Sequence, residues 1–201
     1  EFFTAAKLVG LPGRDYKLDP GTLDEALALA GRSSQHRVQP FALNITQPTD
    51  FGTLYALDEL AALGAVARRH GLRVHMDGAR FANAVAALEC SPADLTWRCG
   101  VDVLSLGATK NGAINAEAVV VFDADLAREI PFRMKRGGQV LSKARFVSAQ
   151  LARYVADDRW RERARRANAH AAALAQQLAA LPGVSLVAPV EVNMIFLRMP
   201  D

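Results

Sequence analysis

The amino-acid sequence predicts an α/β fold: a mostly parallel sheet with helices on both faces, followed by the start of a smaller α+β C-terminal domain. Three observations carry this expectation. Between Phe41 and Phe122, short apolar runs alternate with longer amphipathic ones, the strand–helix–strand rhythm of a parallel sheet. Two apolar runs end in unusual residues, Asp77-Gly78-Ala79-Arg80 and Gly107-Ala108-Thr109-Lys110, and in such sheets ligands sit beyond the carboxyl ends of strands. After Phe122 the pattern changes, and a long Ala- and Arg-rich segment leads to two further strand-like runs.

The elements follow in order. Phe41-Ala42-Leu43-Asn44-Ile45-Thr46 reads as a buried strand ended by the turn residues Gln47-Pro48-Thr49-Asp50. Leu57, Leu60, Leu63 and Val66 recur at helical spacing up to Gly71. Leu72 to Asp77 returns to a strand, and a second helix is expected over Phe81 to Leu88. A third helix is expected after Ser91-Pro92, a cap and first-turn pair. Val101 to Leu106 and Ala118 to Phe122 read as strands. A basic stretch, with Arg133, Lys135, Arg136, Lys143 and Arg145, surrounds a Gly137-Gly138 break. The long helix runs from about Arg159 to Leu181, with Trp160, Ala164, Ala167, Ala171, Leu174 and Leu178 as its apolar stripe. Val184 to Val187 and Met194 to Leu197 are the last strand candidates. This divides the chain into a large unit, 1–158, and a linking helix with the start of a small domain, 159–201.

Composition narrows the function class. The 201 residues are 51% hydrophobic, enough for one sizeable core. A net charge of +3, with both signs interspersed, is too weak to argue for nucleic acid. No apolar run approaches a membrane span and no signal-peptide pattern opens the chain, so a soluble cytoplasmic protein is expected. Cys90 and Cys99 lack a CxxC spacing and read as free thiols. The opening Glu1-Phe2-Phe3 and the ending Met199-Pro200-Asp201 read as a longer protein covered in part.

Two charged residues stand out. Lys110 follows an apolar strand and precedes the turn pair Asn111-Gly112. A lysine at an apolar strand end has its charged form disfavoured, which makes its amine nucleophilic. The run Gly107 to Gly112 is no phosphate loop, because Ala113 stands where Lys-Ser/Thr is required. Asp77 closes an apolar strand, where an aspartate is costly unless it meets a cation. That cation is either Arg80 or a protonated heterocycle such as pyridoxal 5′-phosphate (PLP), which works as an electron sink only while its ring nitrogen stays protonated. His75 alternates with Asp77 on one side of the strand and reads as structural; His36 and His70 sit in loop and helix-end positions. No HExxH, GxSxG or Cys/His metal cluster occurs, so neither a metal site nor serine hydrolysis is expected.

Taken together, Asn44 to Thr49, His75 to Ala84, Gly107 to Gly112 with Glu117-Ala118, and Arg133 through Gln150 resemble the low-specificity L-threonine aldolases. The resemblance covers nearly the whole chain. It implies the aspartate-aminotransferase-like fold of PLP-dependent transferases, with Lys110 as the internal Schiff-base lysine, Asp77 on the pyridinium and Arg80 on the cofactor hydroxyl. Thr46 and Thr109 are implied as secondary cofactor contacts. The implied reaction is retro-aldol cleavage of threonine or allo-threonine to glycine and an aldehyde. It also implies a homodimer or homotetramer, in which the 133–145 segment faces a neighbouring subunit's cofactor phosphate. The family's phosphate-binding segment and ring-stacking histidine are expected before Glu1, and its carboxylate-binding arginine after Asp201. Two alternatives stand beside this: another PLP-dependent β-eliminating lyase or transferase of the same fold, and a cofactor-free homologue acting as a subunit.

Overall fold

The computed structural model describes residues 4–30 and 34–200. Glu1, Phe2, Phe3 and Asp201, on which the reading of the chain ends partly rests, lie outside them. A tight hairpin of β1 (Gly13–Arg14) and β2 (Lys17–Leu18) comes first. It leads into α1 (Pro20–Leu29), where the Asp19 side chain accepts from the Thr22 N–H at 2.9 Å and Pro20 fills the first turn.

The central sheet has four strands: β3 (Ala42–Thr46), β4 (Arg73–Gly78), β5 (Val103–Gly107) and β6 (Glu117–Val121), side by side in that order. The first three are parallel and β6 is antiparallel. Parallel return needs a crossover of about a dozen residues or more, and the 108–116 connection is too short to supply one.

One face of the sheet is apolar. Leu43, Ile45, Val74, Met76 and Leu104 are buried there against Leu60, Leu63 and Ala67 of α2 (Leu57–Arg69) and Phe81 and Val85 of α3 (Phe81–Ala87). Each of the larger side chains contributes roughly 1.5–3 kcal/mol on leaving water. On the other face stand Asn44, Thr46, His75, Asp77 and Ser105, in register across three strands.

The second half of the chain is helical. α4 (Ala124–Arg136) is capped by Asp123 and stops at the expected Gly137-Gly138 break; it buries none of its residues. α5 (Arg145–Val155) packs Tyr154 beside Ala108 and Ala116. α6 (Arg159–Ala179) lies on α3 through a seam of Ala82, Ala86 and Ala164, edged by Trp160. Asn83 and Asn168 lock that seam with two hydrogen bonds of 2.8 and 3.0 Å. β7 (Ser185–Leu186) and β8 (Leu197–Arg198) close the chain as a short antiparallel pair.

Two expectations need correction. No α-helix follows Ser91-Pro92; turns lead only to a 3₁₀ turn at Trp97–Cys99. The Thr96 hydroxyl donates to the Pro92 carbonyl at 2.6 Å, and its backbone leaves the helical region at φ −126°, ψ −105°. In α6, Leu174 is half exposed at 49% while its neighbour Ala175 is buried. Alanines line the inner face because the helix approaches α3 closely, and a leucine there would hold the two apart.

Gly64 in α2 faces the 3₁₀ turn so closely that a Cβ would run into the Cys99 carbonyl oxygen and come within 3.5 Å of the Gly100 Cα. Gly64→Ala gains about 1 kcal/mol of helix propensity, but backbone must move to admit the methyl, at a cost of roughly 1–3 kcal/mol. The expected outcome is net destabilisation of up to about 2 kcal/mol in urea unfolding; a stabilised variant would contradict this packing.

Candidate active site

The parallel register brings three strand ends to one rim. Thr46 of β3 lies opposite Asp77 of β4, and Gly78 of β4 opposite Leu106 of β5. The chain leaving β4 passes directly over the end of β5: a Cβ on Gly107 would stand 2.7 Å from the Ala79 carbonyl oxygen and 2.9 Å from its Cα. Only glycine fits there, and this close crossing sets Ala79-Arg80 beside the start of the Lys110 turn.

Asp77 is half-buried, and its Oδ1 accepts the Ala79 N–H at 2.9 Å. It forms no ion pair with Arg80, so the pairing held open from the sequence is not made. Arg80 instead donates Nη1 to Oδ1 of Asn193 at 3.2 Å. Burial pushes the Arg80 guanidinium below its ordinary value, and no carboxylate partner offsets this among the described residues. Two opposite charges are thus held at one rim without neutralising each other.

Lys110 sits in a 3₁₀ turn, Thr109–Asn111, closed by Gly112 at φ 112°. Its side chain is exposed, and Nζ has no hydrogen-bond or ion-pair partner among the described residues. The apolar setting expected for it lies under its backbone, at Ala108 and Ala116, rather than around its amine. Thr109 is exposed beside it, its hydroxyl 3.5 Å from the Ala116 carbonyl, while Thr46 is half-buried at the end of β3.

Sequence reasoning missed what fixes the turn. Asn111 donates Nδ2 to Tyr154 Oη and to the Trp160 carbonyl, both at 2.7 Å. Arg163 donates Nε to the Asn111 carbonyl at 3.0 Å, and Gln150 Oε1 accepts the Ile114 N–H at 2.9 Å. Arg163 belongs to a basic cluster that reads in sequence as a solvated helix face. Burial pushes the Tyr154 phenol up, with the Asn111 hydrogen bond acting against it. A cavity of about 510 Å³ opens behind this turn, bordered by Gly112, Gln150, Tyr154 and Arg163.

His75 shares the face of Asp77, as expected, and bridges the strands. Its Nδ1 lies 2.6 Å from Asn44 Oδ1 and its Nε2 2.8 Å from Ser105 Oγ. With an amide oxygen on one side, Nδ1 carries the proton and Nε2 accepts from the serine. His70 is occupied elsewhere, by Asp24 at 2.6 Å. Among the described residues no His, Cys, Asp and Glu cluster could hold a metal ion, and no helix is long and apolar enough to cross a membrane. Cys90 and Cys99 are both free.

The beta-eliminating lyase family model matches residues 1–201. The chain is 44% identical over its whole length to a low specificity L-threonine aldolase of Pseudomonas aeruginosa, and 43% identical to one from a Pseudomonas species. It spans 58% of the length of each. A Leishmania major threonine aldolase structure superposes with a TM-score of 0.83 at 29% identity, over 95% of this chain and 55% of that one.

Burial lowers the His75 pKa from its ordinary 6.5, with the Asp77 charge opposing more weakly. The unfolded imidazole therefore binds protons that the folded one refuses, so stability is full above about pH 6.5 and declines as pH falls beneath it. An NMR titration is expected to place the His75 midpoint below 6.5; a midpoint above that value would contradict the neutral bridge.

Proposed function

The chain belongs to the beta-eliminating lyase family, and from that premise we propose that it is the cofactor-bearing part of a PLP-dependent aldolase. Its reaction is cleavage of L-threonine or L-allo-threonine between Cα and Cβ to glycine and an aldehyde. One observation supports this reading: neighbouring parallel strands lead at a single rim into a carboxylate, a guanidinium and the Lys110 turn, whose lysine amine and guanidinium have no carboxylate partner among the described residues. The threonine aldolase relatives support the substrate class.

The donor set fits PLP. Among the described residues Asp77 uses only Oδ1, so Oδ2 would remain to accept from a protonated ring nitrogen. The Arg80 guanidinium would serve the ring hydroxyl oxygen or the substrate, the Lys110 amine would be the point of covalent attachment, and the Thr46 and Thr109 hydroxyls would be secondary contacts. When bound, the cofactor supplies the sink for the electron pair released as Cα–Cβ breaks. The chain's own part would be electrostatic: Asp77 would hold a proton at the ring nitrogen, and Arg80 would stabilise negative charge on an oxygen of the bound ligand. Lys110 would hold the cofactor covalently and keep its nitrogen at the rim.

Residues 1–158 form the large domain in this reading, and 159–201 the linking helix and start of the small one. The working form is a homodimer or homotetramer. Support comes from the basic 133–145 segment and from Phe132, Val140, Leu141 and Phe146 exposed along it. The two free thiols accord with a cytoplasmic setting. A β-eliminating lyase or transferase on the same fold is the second reading, favoured by the family's own name. Product analysis separates the two: glycine with an aldehyde marks the aldolase.

Borohydride reduction of the PLP-loaded protein followed by peptide mass mapping should place the cofactor's mass on Lys110; label on another lysine, or none, would overturn the assignment. Lys110→Ala should prevent that label and lower turnover by roughly 10²–10⁴-fold or more. Asp77→Ala is expected to keep PLP bound while kcat falls by on the order of 10²-fold. An unchanged kcat there would refute the pyridinium role.

A further inference from the structure

Arg80 is a half-buried cation whose one hydrogen bond among the described residues goes to a neutral group, Asn193 Oδ1, 113 residues away in sequence. A guanidinium has only donors, so the amide must turn its oxygen toward Arg80. The Asn193 amide nitrogen is left without a partner among the described residues. A carboxylate in the same place would form a charge-assisted, fork-like pair and absorb the charge. An amide oxygen aligns the guanidinium and leaves its charge in being.

Asn193 does not depend on Arg80 for its position. Glu191 Oε2 accepts the Leu54 N–H at 2.5 Å, and Phe51 packs on Phe196 with ring centroids 5.1 Å apart. Val192 is 1% exposed, and Met194 crosses Gly52 so closely that a Cβ there would stand 3.0 Å from Met194 Cβ. The 191–196 segment is docked on the loop after β3 by contacts on both sides of Asn193. Changing residue 193 alone leaves that docking in place.

We propose that Asn193 is a positioning residue that aims the Arg80 guanidinium and keeps it un-neutralised for an anionic oxygen of a bound ligand. This rests on the aldolase reading above. Two oxygens share that chemistry, the ring oxygen of the cofactor and the α-carboxylate of the amino-acid substrate. The neutral partner is the essential feature, because an isosteric acid at 193 would compete with either one.

The test compares Asn193→Asp with Asn193→Ala in the full-length protein, reading the Kd for PLP and the KM and kcat for L-threonine. Asn193→Asp should raise Kd or KM by roughly 10- to 100-fold, the range for losing a charge-assisted hydrogen bond, with Tm no lower than that of the wild type. Asn193→Ala, which removes alignment without adding charge, should change them only a few-fold. A raised Kd assigns the ring oxygen; a raised KM at saturating cofactor assigns the carboxylate. Asn193→Glu carries the same charge on a longer arm, so the comparison survives if one acidic variant does not fold. Wild-type constants in the acidic variants, or an alanine effect as large as theirs, would overturn the proposal. Borohydride labelling of wild-type Lys110 tests the parent reading apart from it: normal labelling with indifferent acidic variants sinks this inference alone.

Discussion

The rim depends on the in-register pairing of β3, β4 and β5, and that register is set by the core rather than by the site. Leu43 beside Val74, and Ile45 beside Met76 beside Leu104, form rows that must all face α2 and α3. A slip of one residue in β4 would turn Met76 outward and His75 and Asp77 inward. It would lose roughly 1.5–3 kcal/mol for each apolar side chain exposed, and each polar group left unpaired in the core would cost a further 1–3 kcal/mol or so. The placement of Thr46 beside Asp77, and of the Asp77 end beside the Lys110 turn, is a consequence of that packing. The Asn44–His75–Ser105 bridge enforces the same register from the polar face.

Within this frame the charges are kept apart by backbone geometry. Asp77 and Arg80 are three residues apart, close enough that a helix would let them meet. The chain instead turns sharply after Gly78, and Asp77 folds back on the Ala79 N–H as turn aspartates do. Arg80, at φ −126° and ψ 31°, stands just before α3 and reaches across to Asn193. Leaving a half-buried guanidinium without a carboxylate costs stability, which a protein accepts where the charge has work to do.

The legible and illegible parts of the molecule divide along the range of the interactions involved. β3 and β4 were readable because each buries alternate residues on one face, and Asp77, Arg80 and Lys110 because charged residues after apolar strands are unusual. The supposed helix after Ser91-Pro92 failed because its start signal is local, and the bond from Thr96 to the Pro92 carbonyl competes with the helix. α4 was hidden by Pro131 at its centre, a residue that argues against a helix interior. Asn111, Tyr154, Arg163 and Asn193 were invisible as site supports for another reason: their contacts join positions 43, 52 or 113 residues apart. Nothing in the neighbouring sequence of Arg163 separates it from the solvated arginines around it.

Those long-range contacts also qualify the division of the chain near residue 158. The Lys110 turn is held by Tyr154 before that point and by Trp160 and Arg163 after it. Arg80 is held from still further on, by Asn193. α6 is joined to α3 through the alanine seam and the paired asparagines. α6 also touches the turn directly, through the Trp160 carbonyl and Arg163 Nε on Asn111. The geometry of the Lys110 turn is therefore a property of both parts of the chain, and the small, close-fitting residues of the α3–α6 seam matter to the site although none of them lies at the rim.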